Sequence, residues 1–306
     1  MEIIELKDYE FVRIKGPESL QFLQGQVTCD TEKLNAEASL VGAICNLKGR
    51  VVSDFKLILD GDDCLLRTQL GMAEIIIGTL NKYAIFSKVE LIFETDFSRV
   101  IGFLGEDGKN YLSKIVGALP KNTGDRKNFS KTIVIRLPGE SERFEVWVHK
   151  EETQYWEGIK DKNEFNDAWS REDLLQGVFH ITPKSTEEYT PQLLNYDITG
   201  VIDFSKGCYT GQEIIARMHY RGKAKKRLFL LSTNNAITKD SEVNYVNVEE
   251  NHTAKILAYT NKSKNSSSLS LVLAILETKI ANTNIKLGLS DQQDSILKLE
   301  SLPYAL

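Results

Sequence analysis

The chain has 306 residues, 42% apolar and 26% charged, the balance of a globular protein with a substantial core rather than of a disordered one. Its formal charge of −5 excludes a surface that is basic all over, so contact with nucleic acid would need a local patch. No apolar run approaches the roughly 18 residues of a membrane-spanning helix, and the acidic start Met1-Glu2-Ile3-Ile4-Glu5 lacks the build of a signal peptide, so the cytoplasm is the expected location and no membrane contact is expected.

Phe11-Val12-Arg13-Ile14-Lys15 reads as a strand. Gly16-Pro17 then opens a helix striped by Leu20, Leu23 and Val27 and closed by Gly25 at its C′ position. Residues 51–59 and 64–68 are strand-like around the turn Gly61-Asp62. Met72, Ile75, Ile76, Leu80 and Tyr83 recur at helical spacing, and residues 87–93 return as a strand. A second unit begins with Leu112, Ile115, Val116 and Leu119, a helix that Pro120 must stop. Residues 131–137 and 143–149 pair around Pro138-Gly139-Glu140. In the second run Phe144, Val146 and Val148 alternate with Glu145, Trp147 and His149, the period of a half-buried strand. Ser170 reads as a helix N-cap with acidic Asp173 at N3, and Gly177 as the terminator. Beyond residue 227 the runs 227–232, 254–259, 268–277 and 296–299 are β-like, with a flexible loop expected at 261–268, so the C-terminal part is expected to be all-β.

Cys29, Cys45, Cys64 and Cys208 are scattered, with no C-x-x-C pair, and read as free thiols. His149, His180, His219 and His252 form no grouping with metal-ligand spacing, so no metal site is expected. The segment that carries chemistry is Lys206-Gly207-Cys208-Tyr209-Thr210-Gly211-Gln212-Glu213. Thr210 and Glu213 fit a capping box that starts a short helix at Gly211, which places Cys208 two residues before the cap. Helix N-termini favour anions, and Lys206 beside them adds to the stabilisation of a thiolate. From spacing alone, an isolated cysteine is more often a small buried hydrophobe than a reactive group. Downstream, Arg217, Arg221, Lys223, Lys225, Lys226 and Arg227 make a basic segment at 217–227. It reads either as a phosphate-contacting patch or as a solvated linker past a helix C-terminus.

The run from Lys206 to Glu213 matches the K-G-C-[YF]-x-G-Q-E motif of the YgfZ family. Phe22-Leu23-Gln24-Gly25-Gln26-Val27-Thr28, Lys82-Tyr83-Ala84-Ile85-Phe86-Ser87-Lys88-Val89 and Leu302-Pro303-Tyr304 support the resemblance in the family's order. It implies an α+β, aminomethyltransferase-like fold of three domains around a central cavity. These are a folate-binding α+β module at 1–100, a second α+β module with the cysteine motif at 101–226, and a C-terminal β-barrel at 227–306. It also implies tetrahydrofolate as cofactor, Cys208 as the functional cysteine, and Tyr9 and Trp169 as the aromatic residues that face folate. Tyr9 stands where the family can show tryptophan and keeps a flat face for stacking.

Two positions depart from the related aminomethyltransferases. Leu175 replaces a glutamate that contacts the pterin there, with Glu172 or Asp173 as the candidate substitute carboxylate. Ser53 replaces the first of two adjacent aspartates, leaving Asp54, which reads by itself as a turn or solvent-facing residue. The resemblance thus implies a folate-binding accessory protein for assembly or repair of iron–sulfur client enzymes, through which tRNA modification is affected. The competing readings are a tetrahydrofolate-dependent one-carbon transferase, and a protein that contacts tRNA directly through residues 217–227.

Overall fold

In the structure, a computed structural model, residues 2–159, 166–222, 224–246, 252–262, 268–283 and 285–306 are described. Lys223 of the basic segment and residues 263–267 of the expected 261–268 loop lie outside them. The chain divides into two compact units. The first holds Met1–Asn166, His180–Thr190 and Gly200–Ala216, and the second Asp167–Phe179, Pro191–Thr199 and Arg217–Leu306.

The first unit is built on two five-stranded antiparallel sheets. One runs in the order β3 (Ser39–Cys45), β4 (Val51–Asp60), β5 (Asp63–Gln69), β2 (Tyr9–Lys15), β6 (Glu90–Glu94). Gly61 at φ +63° makes the tight β4–β5 turn, a conformation open to glycine at no steric cost. The other runs in the order β1 (Glu2–Glu5), β7 (Phe97–Leu104), β10 (Arg143–His149), β9 (Thr132–Arg136), β8 (Arg126–Phe129). The helices α1 (Ser19–Gln24), α2 (Ala73–Ala84) and α3 (Gly105–Val116) belong to this unit. α1 is shorter than expected, beginning at Ser19 rather than at Gly16-Pro17. Gly25 ends it in the right-handed region, not in the left-handed C′ conformation. α2 buries Ala73, Ile76 and Leu80; of the stripe read from the spacing, Ile76 and Leu80 are buried, whereas Ile75 and Tyr83 are half-buried.

Strand β10 is buried along its whole length, contrary to the half-buried strand that its alternation suggests. Phe144, Val146 and Val148 pack into the core of their own sheet. On the other face Trp147 meets Phe11 of β2 edge-on, with ring centroids 5.1 Å apart, and Glu145 lies 2.9 Å from the Arg67 Nε on β5. A polar residue in the alternation faces the second sheet here, and its partner is a cation rather than water.

The second unit carries α4 (Asn166–Leu175) and a closed barrel in the order β11 (Lys226–Thr233), β14 (Ser270–Glu277), β13 (Thr253–Thr260), β12 (Glu242–Val246), β15 (Lys286–Leu289), β16 (Gln292–Glu300). The all-β reading of the C-terminal part holds, and two short strands, β12 and β15, join the four that were legible. Ser170 is not an N-cap, because α4 already begins at Asn166; Gly177 does end the segment, at φ +66°. On β11, Phe229 and Leu231 point into the barrel core, while Leu228 and Leu230 pack outside it with Leu174 of α4. The period-two alternation of a strand thus serves two apolar surfaces.

Candidate functional site

Two clusters of chemistry-bearing residues lie in the first unit. The first is set by strand register. Phe11 pairs with Arg67, and Arg67 pairs with Lys56, so Tyr9, Arg67 and Asp54 project from one face of the sheet. The Arg67 guanidinium lies over the Tyr9 ring, 3.8 Å from its centroid. Asp54 Oδ2 is 2.6 Å from His180 Nδ1, and Asp54 Oδ1 accepts the Ile181 N–H at 2.7 Å. The His180 and Tyr9 rings meet edge-on at 6.2 Å.

His180 reaches Asp54 because the segment after it is laced to the start of β4. Thr186 Oγ1 donates to the Val52 carbonyl, Glu187 N–H to the Val51 carbonyl, and Val51 N–H to the Tyr189 carbonyl. Burial alone would raise the Asp54 carboxyl pKa. The charge and hydrogen bond of His180, the Ile181 N–H and the Arg67 charge outweigh it and hold the carboxyl below its ordinary value. Asp54 is therefore neither a turn nor a solvent-facing residue, as the sequence suggested. Its side chain is 14% exposed, within a β-strand and paired to an imidazole that is itself 22% exposed. A carboxylate that fixes one ring nitrogen of a histidine is a proton-handling arrangement. The signal in sequence was Asp54 and Lys56 on one face of a largely apolar strand. His180, isolated in sequence, gave none.

The second cluster surrounds Cys208. Its thiol is exposed, whereas Cys29, Cys45 and Cys64 are buried and unpaired. Burial pushes the thiols of Cys29 and Cys45 up to about 12 and that of Cys64 up to about 11, which leaves them protonated and inert. The capping box is not formed. The Thr210 N–H donates to the Gly25 carbonyl, its hydroxyl bonds Gln26 Oε1, and α5 (Gln212–Arg221) begins after Gly211. At Gly211, φ is +83° and a Cβ would lie 2.5 Å from the Asn46 carbonyl oxygen, so glycine is required. Lys206 is 8% exposed and donates to three backbone carbonyls, so its ammonium is not spent on the thiol as the spacing suggested. Cys208 lines a cleft of about 450 Å³ with Gly25, Leu47 and Ile214.

The structure brings Tyr9 together with Arg67, Asp54 and His180. Cys208 stands on a separate loop of the same unit, packed at Gly211 against the turn between β3 and β4. Trp169 is 4% exposed on α4 and belongs to the second unit. On that helix Leu175 packs with Leu174 against the outer apolar face of the barrel, the environment of an apolar residue rather than of a carboxylate. In the basic segment Arg227 grips both oxygens of Asp197 at 2.9 Å and is largely buried, so it is a structural cation. Arg217, Arg221, Lys225 and Lys226 are exposed. Among the described residues no group of three or more His, Cys, Asp and Glu side chains could hold a metal ion, and no helix is long and apolar enough to cross a membrane.

No family model matches the chain. The tRNA-modifying protein YgfZ of Yersinia enterocolitica is 30% identical over 100% of this chain and 93% of its own length. The same protein of Colwellia psychrerythraea is 30% identical over 99% and 93%. The chain belongs to the YgfZ family. A third relative, from Blochmanniella pennsylvanica, is 32% identical over 76% of this chain and 72% of its own. The glycine cleavage system aminomethyltransferase T of Bartonella henselae superimposes with a TM-score of 0.75 at 13% identity, covering 98% of this chain and 85% of that one. The α+β fold with its closed C-terminal barrel is thus the aminomethyltransferase T fold, as the YgfZ motif implied.

Proposed function

We propose that this chain is a cytoplasmic, folate-binding accessory protein for the assembly or repair of iron–sulfur enzymes, through which it affects tRNA modification, and that Cys208 is its functional thiol. The observation that carries this reading is the exposed Cys208 in its cleft, on a loop fastened on both sides while the three other thiols are buried. Exposure and a fixed backbone are what a thiol needs to meet a partner's cluster, metal or adduct.

Tetrahydrofolate fits the residues present. Tyr9 offers a ring whose other face Arg67 braces, and Asp54 with His180 offers the hydrogen-bonding edge that a pterin's amino and ring N–H groups need. Trp169 is the second aromatic residue assigned to the ligand. Bound folate would supply a one-carbon carrier. Titration with tetrahydrofolate, followed by tryptophan fluorescence, is expected to give saturable quenching at micromolar ligand that Tyr9→Ala weakens. Absence of saturation would remove folate from the proposal.

A second reading, one-carbon transfer onto folate, gains support from the Asp54–His180 pair, which supplies a positioned acid or base where the sequence offered a lone aspartate. Aminomethyl transfer assayed with purified components separates the two: turnover abolished by His180→Gln selects the enzyme, and no turnover selects the accessory factor.

A further inference from the structure

We propose that Lys206 is the positioning residue of the Cys208 loop, its ammonium acting as a built-in cation at the centre of a cage of backbone carbonyls. Lys206 Nζ donates to the carbonyls of Gln24 at 2.8 Å, Val27 at 2.7 Å and Cys29 at 2.8 Å. An ammonium has three donors, and all three are used. The carbonyls come from the last residue of α1 and the loop that follows, and α1 has no basic residue of its own in its last turn. The orphan carbonyl end of one short helix is therefore closed by a side chain 182 residues away in sequence.

The same ammonium lies 5.1 Å from the centroid of the Tyr209 ring, a residue only 7% exposed. Burial holds the Lys206 pKa below its ordinary value, and the Asp30 and Asp203 carboxylates nearby oppose that effect in part. Cys208 is thereby bracketed. Lys206 pins the chain two residues before it, the Tyr209 ring is buried under the same cation one residue after it, and Thr210 is bonded to Gly25 and Gln26. Gly207 and Cys208 are left as the exposed crest. The lysine of the motif thus fixes where the thiol stands. This inference rests on the reading of Cys208 as the functional thiol.

The test uses the full chain and three substitutions. Lys206→Ala removes the three methylene groups and the ammonium of the cage, and n-propylammonium replaces them in size and donor number. Tetramethylammonium carries the same charge with no N–H. Lys206→Arg keeps the charge but presents a planar fork that cannot aim three donors at three converging carbonyls.

Amide exchange at Thr210 in Lys206→Ala is expected to be about tenfold faster or more, the factor given by about 1.4 kcal/mol of local stability. Propylammonium should restore it and tetramethylammonium at equal ionic strength should not. Lys206→Arg should fall well short of wild type in complementing a strain that lacks the protein. Unchanged exchange with full complementation by both variants would overturn the inference, as would equal rescue by the two cations. So would a Lys206→Ala chain that stays unfolded in propylammonium, since the cage would then serve the whole unit rather than the loop. If Cys208→Ser complements fully while the exchange and rescue results hold, the cage stands and the functional reading of the thiol falls.

Discussion

Asp54 and His180 show how a single pair can carry a pH dependence. The Asp54 carboxyl is held below its ordinary value against the opposing effect of burial, by the His180 charge and hydrogen bond, the Ile181 amide and Arg67. Its folded value therefore lies below the unfolded one of about 3.9. The stabilisation from this group is fully present above about pH 4 and is lost as pH falls through the folded value. Asp54→Asn is expected to cost about 1–3 kcal/mol near neutral pH, the range for a buried hydrogen-bonded group that loses its partner's charge. Urea unfolding across pH should show the gap to wild type closing below about pH 4; a gap constant down to pH 3 would contradict the pairing. The residue types at this site were partly legible. Tyr9 was picked out by resemblance and Asp54 by its departure from a doublet. Arg67 and His180 were not, because their roles arise from strand register and from a loop laid along β4, neither of which a single sequence displays.

At the scale of elements, the Cys208 loop is held by its neighbours rather than by its own helix. The sequence offered a capping box, a local device, and the structure uses long-range bonds from Thr210 to Gly25 and Gln26 instead. Local patterns list the groups able to bond but not the partner that arrives first, and here the segment after α1 fills that place. Gly211 is the point where this arrangement is strictest. Gly211→Ala meets both the left-handed backbone and the Asn46 carbonyl 2.5 Å from its new Cβ. It is expected to cost at least about 1 kcal/mol. It should also lower complementation with little change in the far-ultraviolet circular dichroism. Full complementation with an unchanged melting temperature would show that the loop tolerates displacement. The same contrast explains β10. Its alternation was read correctly, but the polar face meets a second sheet, and no one-strand pattern reports what lies opposite.

At the scale of the whole molecule, the chain passes between its two units at 166/167, 179/180, 190/191, 199/200 and 216/217. Mixed helix and strand content and an all-β C-terminal part were legible in the texture, which changes near residue 227, whereas the barrel was implied only by the family resemblance. That α4, some fifty residues earlier in the chain, covers the barrel's outer apolar face was not, because long-range packing leaves no mark on local periodicity. A fragment beginning at Lys226 would leave Leu228, Leu230, Leu271 and Leu273 without Leu174. Such a fragment is expected to bind a hydrophobic dye and to associate, and Leu174→Ala in the full chain should cost about 2–5 kcal/mol. A soluble, monomeric, dye-negative fragment would contradict that packing. The proposal that binds these levels together is that Cys208 is the functional thiol. The most direct measurement is complementation by Cys208→Ser in a strain lacking this protein, read as the activity of iron–sulfur methylthiotransferases, with melting temperature and tetrahydrofolate affinity determined in parallel. Loss of complementation with both physical properties within error of wild type is the expected result. Full complementation by Cys208→Ser would contradict it.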